Sequence, residues 1–365
     1  MKWNIFKRTP KAEKKKKSKT REWLDAVIFA VVAATIIRGL LFSAYAIPSG
    51  SMEGTELPGD YLFVSKISYG PRIANTPLAI PFTEPKVYGM RTYWDLIKLP
   101  YWRLPGFTEV KKGDIVVFNK PEDADLGMPV DERTTLIKRC QATPGDKLSI
   151  VNGQVFINGK PAKNAPKQQT SYIVITNGVD INPQLIEDFG IEVRQQLAAN
   201  TYDMVIPGEH VAEMKGYSNI KSIEPLIQKP GEADPQVFPR SEKFKWNEDN
   251  FGPLVIPKRG WTIQLNDSTL TLYRRAIEVY EHNKVEMNGK DILINGKKAA
   301  TYTFQMNYFW MMGDNRHNSW DSRFWGYVPE DHIIGKALIT VLSTDSSKGI
   351  FSGKIRWGRM FKSID

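Results

Sequence analysis

Trp23 to Met52 reads WLDAVIFAVVAATIIRGLLFSAYAIPSGSM, an apolar run that passes without a break into a Pro/Ser/Gly turn. Between Trp23 and Tyr45 only Asp25 and Arg38 are charged, and Ala26 to Ile37 is apolar except for Thr35. As a helix, those 23 residues span about 34 Å, enough to cross a bilayer. Arg38 sits near the far end, where a long side chain can carry its head group back to the interface. The same pattern also suits a buried core helix or a cleavable leader. Upstream, residues 1 to 21 hold ten Lys or Arg against Glu13 alone, a net +9 immediately before the apolar run. That order predicts a membrane helix over 23–45 with its basic tail, 1–22, on the cytoplasmic side. A retained anchor is the better reading, because cleavage after the run would separate it from the serines at Ser49 and Ser51.

The whole chain of 365 residues has a net charge of +10, so the part beyond the tail carries only +1. A nearly neutral folded part excludes nucleic acid as the expected partner. With 41% hydrophobic residues the chain can bury a large core. Cys140 is the single cysteine, which excludes an intramolecular disulfide. The four histidines lack metal-ligand spacing, so neither a metal nor another cofactor is expected.

Beyond Ala46 the chain reads as mainly β. Tyr61 to Lys66, Ile115 to Phe118, Thr135 to Arg139, Val155 to Ile157 and Asp291 to Ile294 are short runs bounded by Gly, Pro and Asn turns, which predicts antiparallel sheets. Helical patches are expected at Pro183 to Ala199, His210 to Lys215 and Arg274 to His282. Asn152-Gly153 with Ile157-Asn158-Gly159-Lys160 echoes Asn288-Gly289 with Ile294-Asn295-Gly296-Lys297, two strand–turn–strand units. The expected organisation is a catalytic β core in two parts, 46–150 and 301–365, around an α+β insertion at 151–300. Pro71 to Pro105 is a long loop rich in proline and aromatics, and either a lipid interface or ordinary packing suits it.

Three segments hold candidate chemistry. Ser49-Gly50-Ser51-Met52 follows the apolar run; Ile137-Lys138-Arg139-Cys140 lies on a short strand, where period two sends Lys138 and Arg139 to opposite faces. Gly313 to Gly326, GDNRHNSWDSRFWG, is a dense polar run between apolar strands. Together with GDYLFVSK at Gly59 to Lys66 and IKRCQATPGD at Ile137 to Asp146, these segments resemble in order the motifs of bacterial type I signal peptidases. The resemblance covers the apolar helix and about half of the outer chain.

That family uses a Ser/Lys dyad, so the resemblance implies Ser51 as nucleophile and Lys138 as general base. Keeping a lysine neutral at pH 7 costs roughly 4.6 kcal/mol from its ordinary value, so Lys138 has to be buried. The resemblance further implies that Ser319 orients the lysine amine, that the Ser51 N–H and Ser49 hydroxyl form the oxyanion hole, and that Ile47 and Ile137 wall shallow pockets for an extended substrate. Arg139, Asp314, Arg316, Asp321 and Arg323 read as an ionic framework. Implied partners are membrane lipid and exported preproteins with small residues before the cleavage site. The implied location is the bacterial inner membrane, single-pass, with the catalytic part on the periplasmic or extracellular face.

There are departures from the family's pattern. His317 replaces a usual acid, Gly54 a frequent proline, and Ala142-Thr143 more apolar residues. Cys140 reads as a small buried apolar side chain rather than a nucleophile. Two other readings differ in kind. A catalytically silent, membrane-anchored binding module would be expected to have lost Ser51, Lys138 or Ser319, and a self-cleaving regulator would carry a DNA-binding helix-turn-helix where the basic tail and apolar run stand.

Overall fold

A computed structural model describes residues 18–80, 83, 85–289, 291–346, 348–349 and 352–364. Most of the basic tail, residues 1–17, lies outside the described residues.

The apolar run forms an α-helix, Lys19–Ile36, continued by a π turn, Ile37–Leu41. Its most apolar 18-residue stretch has a mean hydropathy of 2.1 and buries nothing against the rest of the protein. The expected span over 23–45 is thus displaced toward the N-terminus. Phe42–Ala46 is not helical because it pairs with Asp60–Ser65 over five residues, Phe42 opposite Ser65 and Ala46 opposite Tyr61. Ladder bonds to a second strand outweigh continuation of the helix once the chain meets the folded domain.

The main sheet is antiparallel and runs in the order Phe42–Ala46, Asp60–Ser65, Ile333–Ser343, Ile115–Asn119, Thr135–Ala142, Tyr308–Met312, Val328–Pro329. The expectation of a mainly antiparallel β protein behind one N-terminal apolar helix holds. Two of its interior strands are apolar on both faces, since Ile115 to Phe118 and Tyr308 to Met312 are all buried. One cluster, with Ile47, Met52, Leu62, Val64, Val117 and Ala337, lies under the first serine turn. A larger aromatic cluster, including Phe304, Tyr308, Trp310 and Tyr327, joins the sheet to the chain between 142 and 304.

Residues 169–225 form a separate four-stranded sheet, ordered Glu192–Ala198, Thr201–Pro207, Gln169–Thr176, Ile220–Pro225, around its own core of Val174, Met204, Ile206 and Met214. Here the helix expected over Pro183 to Ala199 is corrected: it stops at Asp188, and Glu192–Ala198 is a strand. Gly190, at φ 61°, ends the helix, and pairing with Thr201–Pro207 captures the residues beyond it. The helix expected from Arg274 starts earlier, at Asp267, because Asn266 and Thr269 form a capping box. The two Asn-Gly units share their local structure. Asn158 and Asn295, at φ 53° and 52°, each accept a backbone N–H, from Lys147 and Lys284 respectively, at 2.9 Å.

Candidate active site

Ser51 lies in a single 3-10 turn, Gly50–Met52, that follows the first strand. Met52 is fully buried and pegs this turn into the apolar cluster, while the Thr55 and Glu56 N–H groups close it on the Met52 carbonyl. Lys138 reaches the turn from the strand Thr135–Ala142, where it stands opposite Val116. Alternation along that strand sends Lys138 and Arg139 to opposite faces, as expected. Lys138 is 3% exposed, and its Nζ lies 2.5 Å from Ser51 Oγ. Burial pushes the lysine down to about 8, against the opposing pull of Asp321 and Asp314 and with help from the Arg323 charge.

On the other face, the Arg139 guanidinium grips Asp314, with Nε and Nη2 donating at 2.9 and 2.8 Å, and Nη1 donates to the Gly113 carbonyl. Thr55 Oγ1 donates to the same Asp314 carboxylate at 2.6 Å, so the ion pair ties the serine turn to the lysine strand. A second pair lies alongside. Burial alone would raise the Asp321 carboxyl, but the Arg323 guanidinium, donating through Nε and Nη2 at 2.9 Å each, holds it below the usual range. Asp321 also accepts the Gly313 N–H at 3.0 Å.

Gly313 stands where these segments meet. A Cβ there would fall 2.2 Å from Ser319 Oγ and 2.4 Å from the Ser51 carbonyl oxygen, so any side chain would force the serine turn away. Ser319 is therefore beside the dyad, though its buried hydroxyl makes no hydrogen bond to Lys138. Ser49 Oγ is 3.5 Å from Ser51 Oγ. Ile47 and Ile137 belong to the apolar cluster beneath. Arg316 departs from the ion-paired pattern: it is buried, its Nε and Nη1 lack hydrogen-bond partners among the described residues, and burial beside Arg323 lowers it to about 10.

His317 joins the loop of residues 313–326 to the four-stranded sheet of residues 169–225. The Ser171 N–H donates to His317 Nδ1 at 3.1 Å, so Nε2 carries the proton and donates to Asp249 at 3.0 Å. An acidic residue could not serve both partners. Glu248, Asp249 and His317 place ligand atoms within 4.8 Å of one another, yet both imidazole nitrogens are already engaged and Arg323 faces Glu248 at 3.5 Å. Gln169 bonds to the same loop, donating its N–H to Asp314 O and accepting from Arg316 N, both at 2.9 Å. Gly54 has φ 91°, and a Cβ there would lie 2.1 Å from the Lys167 carbonyl oxygen. Proline is excluded by that φ, which accounts for the departure at this position.

Two strand edges near the dyad are open. Tyr308–Met312 pairs with the lysine strand only from Arg139 onward, leaving Thr135 to Lys138 unpaired on that side. Phe42–Ala46 is the outermost strand of the sheet, paired on one side. Thr55 and Gly313 are site residues that the sequence alone did not reveal. Glycine at the start of GDNR was a signal for Gly313; nothing marked Thr55.

Residues 20–213 and 255–342 match the family described as Signal peptidase, peptidase S26. This chain belongs to the signal peptidase family. It is 24% identical over 340 residues to signal peptidase I of Buchnera aphidicola subsp. Baizongia pistaciae, covering 90% of this chain and 79% of the relative. Identity to signal peptidase I of Haemophilus influenzae is 23% over 354 residues, covering 95% and 76%. A shorter match to signal peptidase I of Rickettsia massiliae reaches 32% over 144 residues, 40% of this chain and 45% of that protein. The chain is accordingly a hydrolase, a serine endopeptidase of the signal peptidase family, and cleavage of signal peptides from preproteins is its activity.

Proposed function

We propose that this signal peptidase works through a Ser51/Lys138 dyad and is held in the bacterial inner membrane by the helix over residues 19–41. The observation that carries the reading is the 2.5 Å separation of Lys138 Nζ and Ser51 Oγ on a lysine that burial has brought down to about 8. In the neutral form the amine takes the Ser51 proton as Oγ attacks the scissile carbonyl carbon. The resulting ammonium then gives that proton to the departing amine, leaving an ester on Ser51. Water, deprotonated by the same amine, attacks the ester and frees Ser51. The Ser51 N–H and the Ser49 hydroxyl stabilise the oxyanion, and the Ser319 hydroxyl, beside the dyad, orients the amine by turning onto it during the reaction. Arg139–Asp314 and Asp321–Arg323 hold the geometry and do not react; Arg316 belongs to the same loop.

The substrate lies extended between the open edges of Thr135 to Lys138 and Phe42 to Ala46, gaining backbone hydrogen bonds from one or both. Ile47 and Ile137 wall its pockets, so small residues before the cleaved bond are favoured. The basic tail stays in the cytoplasm and the catalytic part lies on the outer face, as a two-part β core with the segment 151–300 inserted.

Cleavage of a preprotein with an Ala-x-Ala site by wild type, Ser51→Ala and Lys138→Met, in detergent with folding checked by circular dichroism, tests the dyad. Activity is expected only in wild type. Near-normal cleavage by either folded variant would contradict the assignment.

A further inference from the structure

The loop that joins Asp60–Ser65 to Ile115–Asn119 turns the usual arrangement inside out. Its polar side chains bolt it to the core. Arg72 donates to Asn119 and to the Asp331 carbonyl, Arg103 to the Gly70 carbonyl, and Thr76 takes both its N–H and hydroxyl to Asp131. Tyr93 is buried, but six of the loop's other large apolar side chains face outward: Tyr88 is 97% exposed, Phe107 87%, Leu96 84% and Met90 69%, with Trp94 and Trp102 more than half exposed. Such a concentration on a well-tethered loop is a contact surface rather than a packing failure.

Strand register fixes where that surface lies. The helix ends at Leu41, and Phe42–Ala46 carries the chain away from it by about 17 Å. Asp60–Ser65 returns antiparallel, Ser65 opposite Phe42, until the Lys66 N–H bonds to the Leu41 carbonyl at 2.8 Å and Lys66 Nζ approaches the Gly39 carbonyl at 3.3 Å. The loop leaves from this point. Its base is closed by Phe107 N–H on Ile67 O and Thr108 N–H on Ser68 O, so both of its ends stand within a few residues of the helix end. Among its described residues, the exposed charges are Lys86, Arg91 and Lys98 against Asp95. Aromatic and cationic side chains at the level where a helix leaves the hydrocarbon are the composition that lipid headgroups favour.

We infer that the 71–107 loop is a second membrane contact, seating its apolar tip in the outer leaflet beside the helix. With two footings the domain cannot swivel freely about a single helix, and Ser51 is held at one height and one azimuth relative to the emerging cleavage site. The inference rests on the helix over 19–41 being the anchor.

Spin labels on single cysteines test it in the full chain reconstituted in nanodiscs of phosphatidylethanolamine and phosphatidylglycerol. Cys140 is fully buried, and a Cys140→Ala background removes it altogether. Labels at Tyr88→Cys and Leu96→Cys are compared with one in the helix, Ile28→Cys, and one in the insertion, Val179→Cys, by accessibility to oxygen and to a water-soluble nickel chelate. The two loop labels are expected to follow the helix label, several-fold more open to oxygen relative to nickel than Val179→Cys. Loop labels that match Val179→Cys while Ile28→Cys reads lipid would overturn the loop contact alone. A helix label that reads water would overturn the anchor, and the loop contact with it.

Discussion

Two lysines among the described residues are brought down to about 8, and they sit in different company. Lys138 is depressed chiefly by burial and lies 2.5 Å from the hydroxyl of Ser51. Lys66 is depressed by burial together with the neighbouring charges of Arg72 and Arg38, and its Nζ donates to the carbonyl of Gly39. A carbonyl has no proton to give, so the second lysine cannot act as a base there. What separates a catalytic amine from a merely uncomfortable one is the group it faces, not its proton affinity.

Removing each amine in turn gives the largest contrast. Lys138→Met should lower kcat/KM for preprotein cleavage by about 10³ or more, whereas Lys66→Met should keep most of it; equal losses would dissolve the distinction. Next comes the framework that gives Lys138 its direction. Arg139→Ala leaves Asp314 buried without its ion-pair partner and should cost about 3–5 kcal/mol of stability, measured by denaturant unfolding in detergent. Gly54→Ala should cost about 1–3 kcal/mol, because a side chain at φ 91° meets the Lys167 carbonyl. The smallest effect is expected at His317. There His317→Gln, which keeps one donor and one acceptor, should lower the melting temperature less than His317→Ala, and the reverse order would contradict the strut.

Both lysines also bear on stability. Each has a folded value below that of the unfolded chain, so between about 8 and the ordinary lysine range the unfolded state binds more protons. Stability therefore gains from these two groups as pH rises through that window, and the full cost of charging them is present below it.

The approach of Lys138 to Ser51 was expected from the order of motifs, which matched a known family, whereas period two on a short strand said only that Lys138 and Arg139 face opposite ways. The strand Glu192–Ala198 was not, since its residues suit a helix until Gly190 breaks it and a neighbouring strand captures it. Nor was the end of the N-terminal apolar helix: Phe42 to Ala46 is apolar enough to continue it, and only pairing with Asp60–Ser65 shows otherwise. Thr55, Gly313 and the docking of Gln169 on Asp314 depend on contacts between segments far apart in the chain, which no local pattern records. The departures at Gly54 and His317 became intelligible only from contacts of Gly54 with Lys167 and of His317 with Ser171 and Asp249.

The account turns on neutral Lys138 being the base for Ser51, and the pH dependence of kcat/KM for an Ala-x-Ala preprotein, from pH 6 to 10 in wild type and Lys66→Met, tests it most directly. Since the reactive form is the unprotonated amine, activity should rise about tenfold per pH unit below 8 and level off above it, identically in both proteins. A profile flat across pH 7 to 9, or a rising limb that disappears with Lys66→Met, would contradict it.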